Sequence, residues 1–348
     1  MSALLAADPA RLLGPGGPDW RPLRGARLLL TGGTGFFGGW LLESLLAAEA
    51  AHRLGVRVAV LTRDPAAFAR ARPRLAGHPA VALLQGDVLE LRPSGARYTH
   101  VVHAATTVAP LAGAGDPRRL FDTIVEGTRR VLEVARQAGS RRLLLVSSGA
   151  IYGRQPTGLA QLPEEHLGGP DPLSPPSAYA EGKRAAELLC ACAAAEGWLE
   201  PVVARGFAFS GPYLPLDGHF AIGNFVRDAL AGGPIRVAGD GTPSRSYLYG
   251  ADLASWLWTL LLEGRPGRAY NVGSERAVTI AELAGLVAAV LQARGGVEVA
   301  VAPEPGRPAE RYVPSTRRAR EELSLTERWT LEEAVARMAA FAQGSTGC

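Results

Sequence analysis

An α/β fold built on a doubly wound parallel sheet is the expectation for this chain, on three observations. Short apolar runs of strand length alternate with helical stretches through residues 26–210. The first of these runs passes through a glycine-rich turn directly into a helix. The composition, 47% hydrophobic and 20% charged over 348 residues, is that of a globular enzyme with room for a large domain or two coupled lobes.

The elements follow in order. Residues 1–25 are rich in Pro, Gly and Ala and read as a loose arm. The first strand spans 27–31, and 36–53 carries apolar residues at helical spacing. Residues 56–62 form a β-branched, buried strand, and 80–86, 98–104 and 141–147 are further strands. Helices are expected over 117–138 and 177–196, and another strand over 201–207. Strands alternating with helices imply right-handed crossovers and a sheet covered on both faces. Beyond Gly211 the rhythm loosens, with helices expected over 220–231, 251–263, 280–293 and 330–342. The resulting division is an arm over 1–25, a Rossmann-type dinucleotide-binding domain over 26–210, and a smaller mixed α/β lobe, mainly substrate-binding, over 211–348. Segments around 244–274 return from that lobe to the sheet. Ligands belong in the cleft between the two.

Charge and cysteine usage narrow the function classes. The net charge of +4 is spread without a like-charge block, so no nucleic-acid partner is expected. Cys190, Cys192 and Cys348 are too few for a disulfide framework and fit a reducing compartment. Cys190 and Cys192 lack a second ligand pair, so no metal site is expected. The N-terminus shows no secretory pattern, and no apolar run reaches the roughly 18 residues of a membrane span. A cytoplasmic protein without membrane contact is the expectation. Of 37 Lys and Arg residues, only Lys183 is lysine. Where arginine replaces lysine throughout, a position that stays lysine calls for an amine rather than a guanidinium.

The turn Thr31-Gly32-Gly33-Thr34-Gly35-Phe36-Phe37-Gly38 joins the first strand to its helix. Glycine lets the backbone turn tightly and approach a pyrophosphate, and the helix N-terminus offers free N–H groups and partial positive charge. A bare tight turn seldom needs three spaced glycines. At the end of the second strand stand Thr62, Arg63 and Asp64. Arg63 suits the 2′-phosphate of NADP. Asp64 keeps NAD open, or caps the turn ahead of Pro65. Asp87, before Val88, is placed to accept the adenine amino group or to serve its own turn. Ala104 and Ala105 are small enough for a cofactor to lie against the backbone, while His103 reads as packed.

Ser147 and Ser148 end the fifth strand, and Tyr179 and Lys183 lie four residues apart on one face of the next helix. A neighbouring ammonium favours phenolate, so the Tyr179 pKa is expected to fall. A serine hydroxyl at the strand end orients the substrate oxygen. Together the three form a proton relay beside a hydride acceptor.

With TGGTGFFG, QGDV, HAAT, SSGAIYG, YAEGK, SGPYLP, RSYLYGADL, YNVGS and RYVPS in place, the chain resembles the extended short-chain dehydrogenase/reductases of the nucleotide-sugar epimerase/dehydratase type. The likeness runs from about Arg27 to Leu325. It implies Tyr179 as acid/base, Lys183 also on the nicotinamide ribose, Ser148 on the reacting oxygen, and Gly32, Gly35, Phe36, Phe37, Gly38, Arg63, Asp87, Val88, Ala104 and Ala105 around NADP or NAD. It implies Arg245 and Arg311 as ligands of a nucleoside diphosphate, a task that suits the planar guanidinium fork. It also implies a homodimer through the helices over 117–138 and 177–196.

The departures from that pattern direct the reaction. Where 4,6-dehydratases of the Asp-Glu type carry their acids stand Gly149 and Ala150. Elimination then needs an acid from elsewhere, such as Glu164 or Glu165. Ile124 and Ala208 stand where asparagines are usual. The expected function is redox chemistry at C4 of a nucleotide sugar, as a 4-epimerase or 4-ketoreductase. The alternatives are a dehydratase or decarboxylase of the same type, or a non-catalytic NAD(P)-binding protein.

Overall fold

The computed structural model describes residues 4–106, 116–218, 220–306 and 308–345. Its centre is a seven-stranded sheet: β1 (Arg27–Thr31), β2 (Arg57–Thr62), β3 (Val81–Gln85), β4 (His100–His103), β5 (Arg142–Ser148), β6 (Glu200–Gly206) and β7 (Arg268–Val272). The order is β7-β6-β5-β4-β1-β2-β3, and every pairing is parallel. The winding reverses between β1 and β4, which is where a doubly wound sheet opens a crevice for ligands.

Alternation along the strands fills both faces. On one face Leu28, Leu30 and Val58 meet Leu41 and Leu45 of α1 (Phe36–His52) and Trp256, Leu257 and Leu260 further along the chain. On the other, Leu29, Val101 and Leu143 meet Val131 of α2 (Pro117–Ala138) and Ala186 of α3 (Ala178–Ala195). The expected first helix ends one residue early, because Arg53 takes the left-handed conformation as C-cap.

The smaller lobe gathers α4 (Ala221–Leu230), α6 (Ile280–Leu291) and α7 (Leu331–Ser345) around Ile222, Phe225, Leu283, Val287 and Val335. A Thr279–Glu282 capping box starts α6. Between α4 and α6 the chain leaves this lobe as α5 (Gly250–Glu263), buried almost throughout, and packs on the sheet before forming β7.

The arm expected to be loose is instead packed. Leu4–Arg11 is helical, Leu12 is buried beside Trp40, Tyr249 and Trp329, and the Trp20 ring lies 5.6 Å from that of Trp258. Asp8 accepts the Tyr249 hydroxyl at 2.5 Å and Arg337 Nε at 3.2 Å. Two apolar anchors and a shared carboxylate outweigh the Pro/Gly content that suggested disorder. Among the described residues, no helix is long and apolar enough to cross a membrane, and no His/Cys/Asp/Glu cluster has the makings of a metal site.

Candidate active site

Backbone geometry builds the phosphate cradle. Gly32 sits at φ 74°, where a Cβ would come 2.5 Å from the Ala104 carbonyl oxygen. A Cβ on Gly38 would lie 2.2 Å from Gly33 Cα, so its absence lets α1 rest on the turn. Gly35 is the N-cap of α1, and no side chain caps that helix. The first N–H groups, at Phe36, Phe37 and Gly38, are thus left without a side-chain cap at the positive end of the helix dipole. The cradle, closed on the far side by Ala104 and Ala105, fits a dinucleotide pyrophosphate.

The residues flanking it divide into capping and exposed groups. Asp64 is spent as a helix cap, accepting the Ala67 N–H at 2.8 Å, while Arg63 is exposed at the end of β2. Asp87 turns one carboxylate oxygen to the Leu89 N–H at 3.0 Å, and Val88 is buried against Gly127. His103 bridges Thr31 at 2.8 Å and Thr128 at 3.1 Å. Burial, aided by the Lys183 charge, pulls its pKa down to about 3, so it is neutral and structural.

The carboxyl end of β5 and the first turns of α3 bring Ser148, Tyr179 and Lys183 together. Ser148 Oγ accepts the Ala150 N–H at 3.1 Å, fixing its rotamer, and the hydroxyl is near enough to Tyr179 to act on its pKa. The Lys183 ammonium, 4% exposed, donates to the Val146 carbonyl at 2.7 Å and to Thr106 Oγ1 at 2.8 Å. Burial lowers its pKa to about 8, with Glu187, one turn on, partly opposing.

The expected fall of the Tyr179 pKa is not what the geometry produces. Burial raises it, and the nearby Ser148 hydroxyl only partly offsets this. The ammonium is 5.9 Å from the phenol ring centroid and two of its three protons are directed elsewhere, so desolvation dominates over charge. Thr106, in the HAAT stretch, is a partner that the sequence reading did not assign.

The position directly after Ser148 is closed to an acid. A Cβ on Gly149 would meet the Phe207 ring at 2.7 Å. The two glutamates considered as substitutes are otherwise engaged: Glu164 accepts the Asn271 N–H at 2.9 Å and Glu165 pairs with Arg318 at 2.6 Å. Ile124, in place of an asparagine, packs against Gly182. Behind β5, Glu187 takes the Ser147 hydroxyl at 2.5 Å and an Arg205 ion pair at 2.8 Å, and Arg205 also donates to the Tyr152 hydroxyl at 2.8 Å. This buried network holds the strand end and the helix in register.

From the smaller lobe, a three-stranded ribbon sets Arg311 opposite Ser244 and Tyr312 opposite Arg245. Arg311 is exposed; Arg245 is partly buried, bonded to the Ser244 carbonyl at 2.9 Å and 3.8 Å from Glu310. The ribbon thereby makes neighbours of two arginines 66 positions apart. It also delivers Tyr312, unassigned by the sequence reading, whose ring lies 4.6 Å from that of Phe207 and whose hydroxyl donates to the Gly206 carbonyl at 3.5 Å, near Ser148. Its only signal in the sequence was its place beside Arg311.

Residues 28–273 match the model of the NAD dependent epimerase/dehydratase family. The chain is 31% identical to UDP-glucuronic acid decarboxylase 5 of Arabidopsis thaliana over 280 residues, 78% of each chain. Among solved structures, a dTDP-glucose 4,6-dehydratase of Streptomyces venezuelae with NAD bound superposes with a TM-score of 0.76 at 26% identity, covering 92% of this chain and 98% of that one. A UDP-glucose 4-epimerase of Thermotoga maritima gives 0.77 at 22% identity over 92% and 99%, a likeness of fold.

Proposed function

Because the chain belongs to the NAD dependent epimerase/dehydratase family, we propose that it is an oxidoreductase acting at C4 of a nucleotide sugar. The observation that carries this reading is the convergence of Ser148, Tyr179 and Lys183 beside a glycine cradle, with Gly149 and Ala150 unable to move protons next to them. A nicotinamide cofactor, when bound, supplies the hydride acceptor and donor. Tyr179 gives its proton to the C4 oxygen as that carbon is reduced and, once deprotonated, takes the C4 hydroxyl proton on oxidation. Ser148 holds the same oxygen, and Lys183 holds the ribose hydroxyls and places positive charge near the phenol. Arg245 and Arg311 hold the diphosphate.

Reduction of the 4-keto sugar from its other face gives a 4-epimerase; net consumption of NADPH gives a 4-ketoreductase. A second reading, decarboxylation of a nucleotide uronic acid, draws on the 31% identity to a UDP-glucuronic acid decarboxylase. It is chemically open here, since a 4-keto uronic acid is a β-keto acid and loses CO2 without an acid at position 149 or 150. With Asp64 spent as a cap and Arg63 exposed, the reading favours NADP over NAD. A homodimer through α2 and α3 fits the exposed Leu188 on α3, and the free thiols of Cys190 and Cys192 fit a reducing cytoplasm.

The test is to identify any co-purifying dinucleotide by mass spectrometry and follow UDP-, dTDP-, CDP- and GDP-sugars, UDP-glucuronic acid included, by NMR. Inverted C4 with no net cofactor use marks the epimerase. NADPH oxidation with a 4-keto sugar marks the reductase, and a pentose with CO2 marks the decarboxylase. Absence of turnover on every class, with cofactor bound, overturns the enzyme reading.

A further inference from the structure

Arg72 takes no part in the chemistry above, yet it stands against the phosphate-binding turn. It follows the short helix Pro65–Ala71 and donates from Nη1 to the carbonyl of Gly35, the N-cap of α1, at 3.3 Å. Its guanidinium lies 4.0 Å from the centroid of the Tyr213 ring. Tyr213 is itself tied to α1, through its hydroxyl on Glu43 at 2.7 Å.

The helix makes room for this arrangement. A Cβ on Gly39 would come 2.5 Å from Arg72 Nη1 and 2.9 Å from Tyr213 Cδ2. The cradle's own spacing uses Gly32, Gly35 and Gly38, and leaves Gly39 without a purpose in the turn. Arg72 and Tyr213 supply that purpose.

The charge balance points to a missing anion. Arg74, two residues on, is paired with Glu43. Among the described residues no carboxylate forms an ion pair with Arg72, and burial lowers its pKa. A partly desolvated guanidinium beside the positive end of a helix dipole is unfavourable until an anion joins it. Most of its five N–H donors are left over after the single bond to Gly35, in the fork geometry that matches phosphate oxygens.

We propose that Arg72 binds a phosphate of the dinucleotide cofactor, either the pyrophosphate at the turn or the 2′-phosphate of the adenosine ribose. The assignment rests on the dinucleotide-binding reading above and adds a second basic residue to the exposed Arg63. Tyr213 and Gly39 position the guanidinium.

Direct binding separates the possibilities. Dissociation constants for NAD+ and NADP+ are measured by titration calorimetry on the wild type, Arg72→Gln, Arg72→Lys and Gly39→Ala, with thermal melts to confirm folding. Arg72→Gln is expected to weaken binding tenfold or more. Gly39→Ala, which displaces the guanidinium without removing it, follows in the same direction, and Arg72→Lys recovers part. Loss for both dinucleotides places Arg72 on the pyrophosphate; loss for NADP+ alone places it on the 2′-phosphate. Constants within twofold of wild type for both dinucleotides in a folded Arg72→Gln protein overturn the assignment. A wild type that binds neither dinucleotide overturns the cofactor reading itself, so the two failures are distinct.

Discussion

The end of β5 and the ribbon at Arg245 are built in opposite ways. Ser148 ends a seven-residue strand paired on both sides, and Lys183 is 4% exposed with two fixed acceptors. The ribbon is made of two-residue strands, with Arg311 exposed and Arg245 only partly buried. Under the function proposed above, the contrast has a physical sense: proton transfer tolerates little displacement and suits a locked, desolvated frame, whereas diphosphate recognition is long-range and suits a short, solvated one.

Substitutions and solution conditions test that contrast. Tyr179→Phe removes the transferable proton and is expected to lower kcat by about a thousandfold while leaving cofactor affinity intact. Steady-state rates with parallel cofactor titration read it; a loss under tenfold would sink the acid/base assignment. Lys183→Met is expected to cost about a hundredfold in kcat/KM, and Lys183→Arg should not restore it, since the larger planar guanidinium presents its donors differently from the buried ammonium that meets Val146 and Thr106. Equal activity of the arginine variant would refute the locked-frame account.

Arg245→Ala and Arg311→Ala are expected to raise KM about tenfold each, with kcat within a few-fold, and added salt should mimic them. A kcat-only effect would move these residues from recognition into chemistry. The last effect is on stability and is read as a pH dependence. Lys183 has a folded pKa of about 8, below the 10.5 of the free amine. The unfolded chain thus binds the extra proton between these values. The cost of burying the ammonium is fully present below pH 8 and is relieved as pH rises towards 10.5, by at most about 3 kcal/mol. Urea midpoints of wild type minus Lys183→Met should therefore rise across pH 8–10.5. A flat difference would mean the ammonium is better solvated than its burial implies.

Much of the parallel sheet and its glycine turn was legible because its signals are local. A strand period of two, a helix period near 3.6 and three spaced glycines each report on a few neighbouring residues. The pKa of Tyr179 was misread because spacing places Lys183 on the same helical face but says nothing of where its protons go; Val146 and Thr106 take two of them. The arm was misread for a related reason. Its Pro and Gly content describes the backbone, whereas Leu12, Trp20 and Asp8 are held by partners far along the chain.

By itself, the sequence determined the parallel sheet, the phosphate turn and the Tyr179–Lys183 pair, because backbone sterics and periodicity act over short separations. Only the tertiary structure decided that Phe207 closes the space beside Gly149, that Tyr312 comes near Ser148, and that Arg72 stands over Gly35 without a carboxylate partner among the described residues. Each of these depends on which distant segments exclude water from one another, and that is set by packing of the whole chain rather than by any window of it.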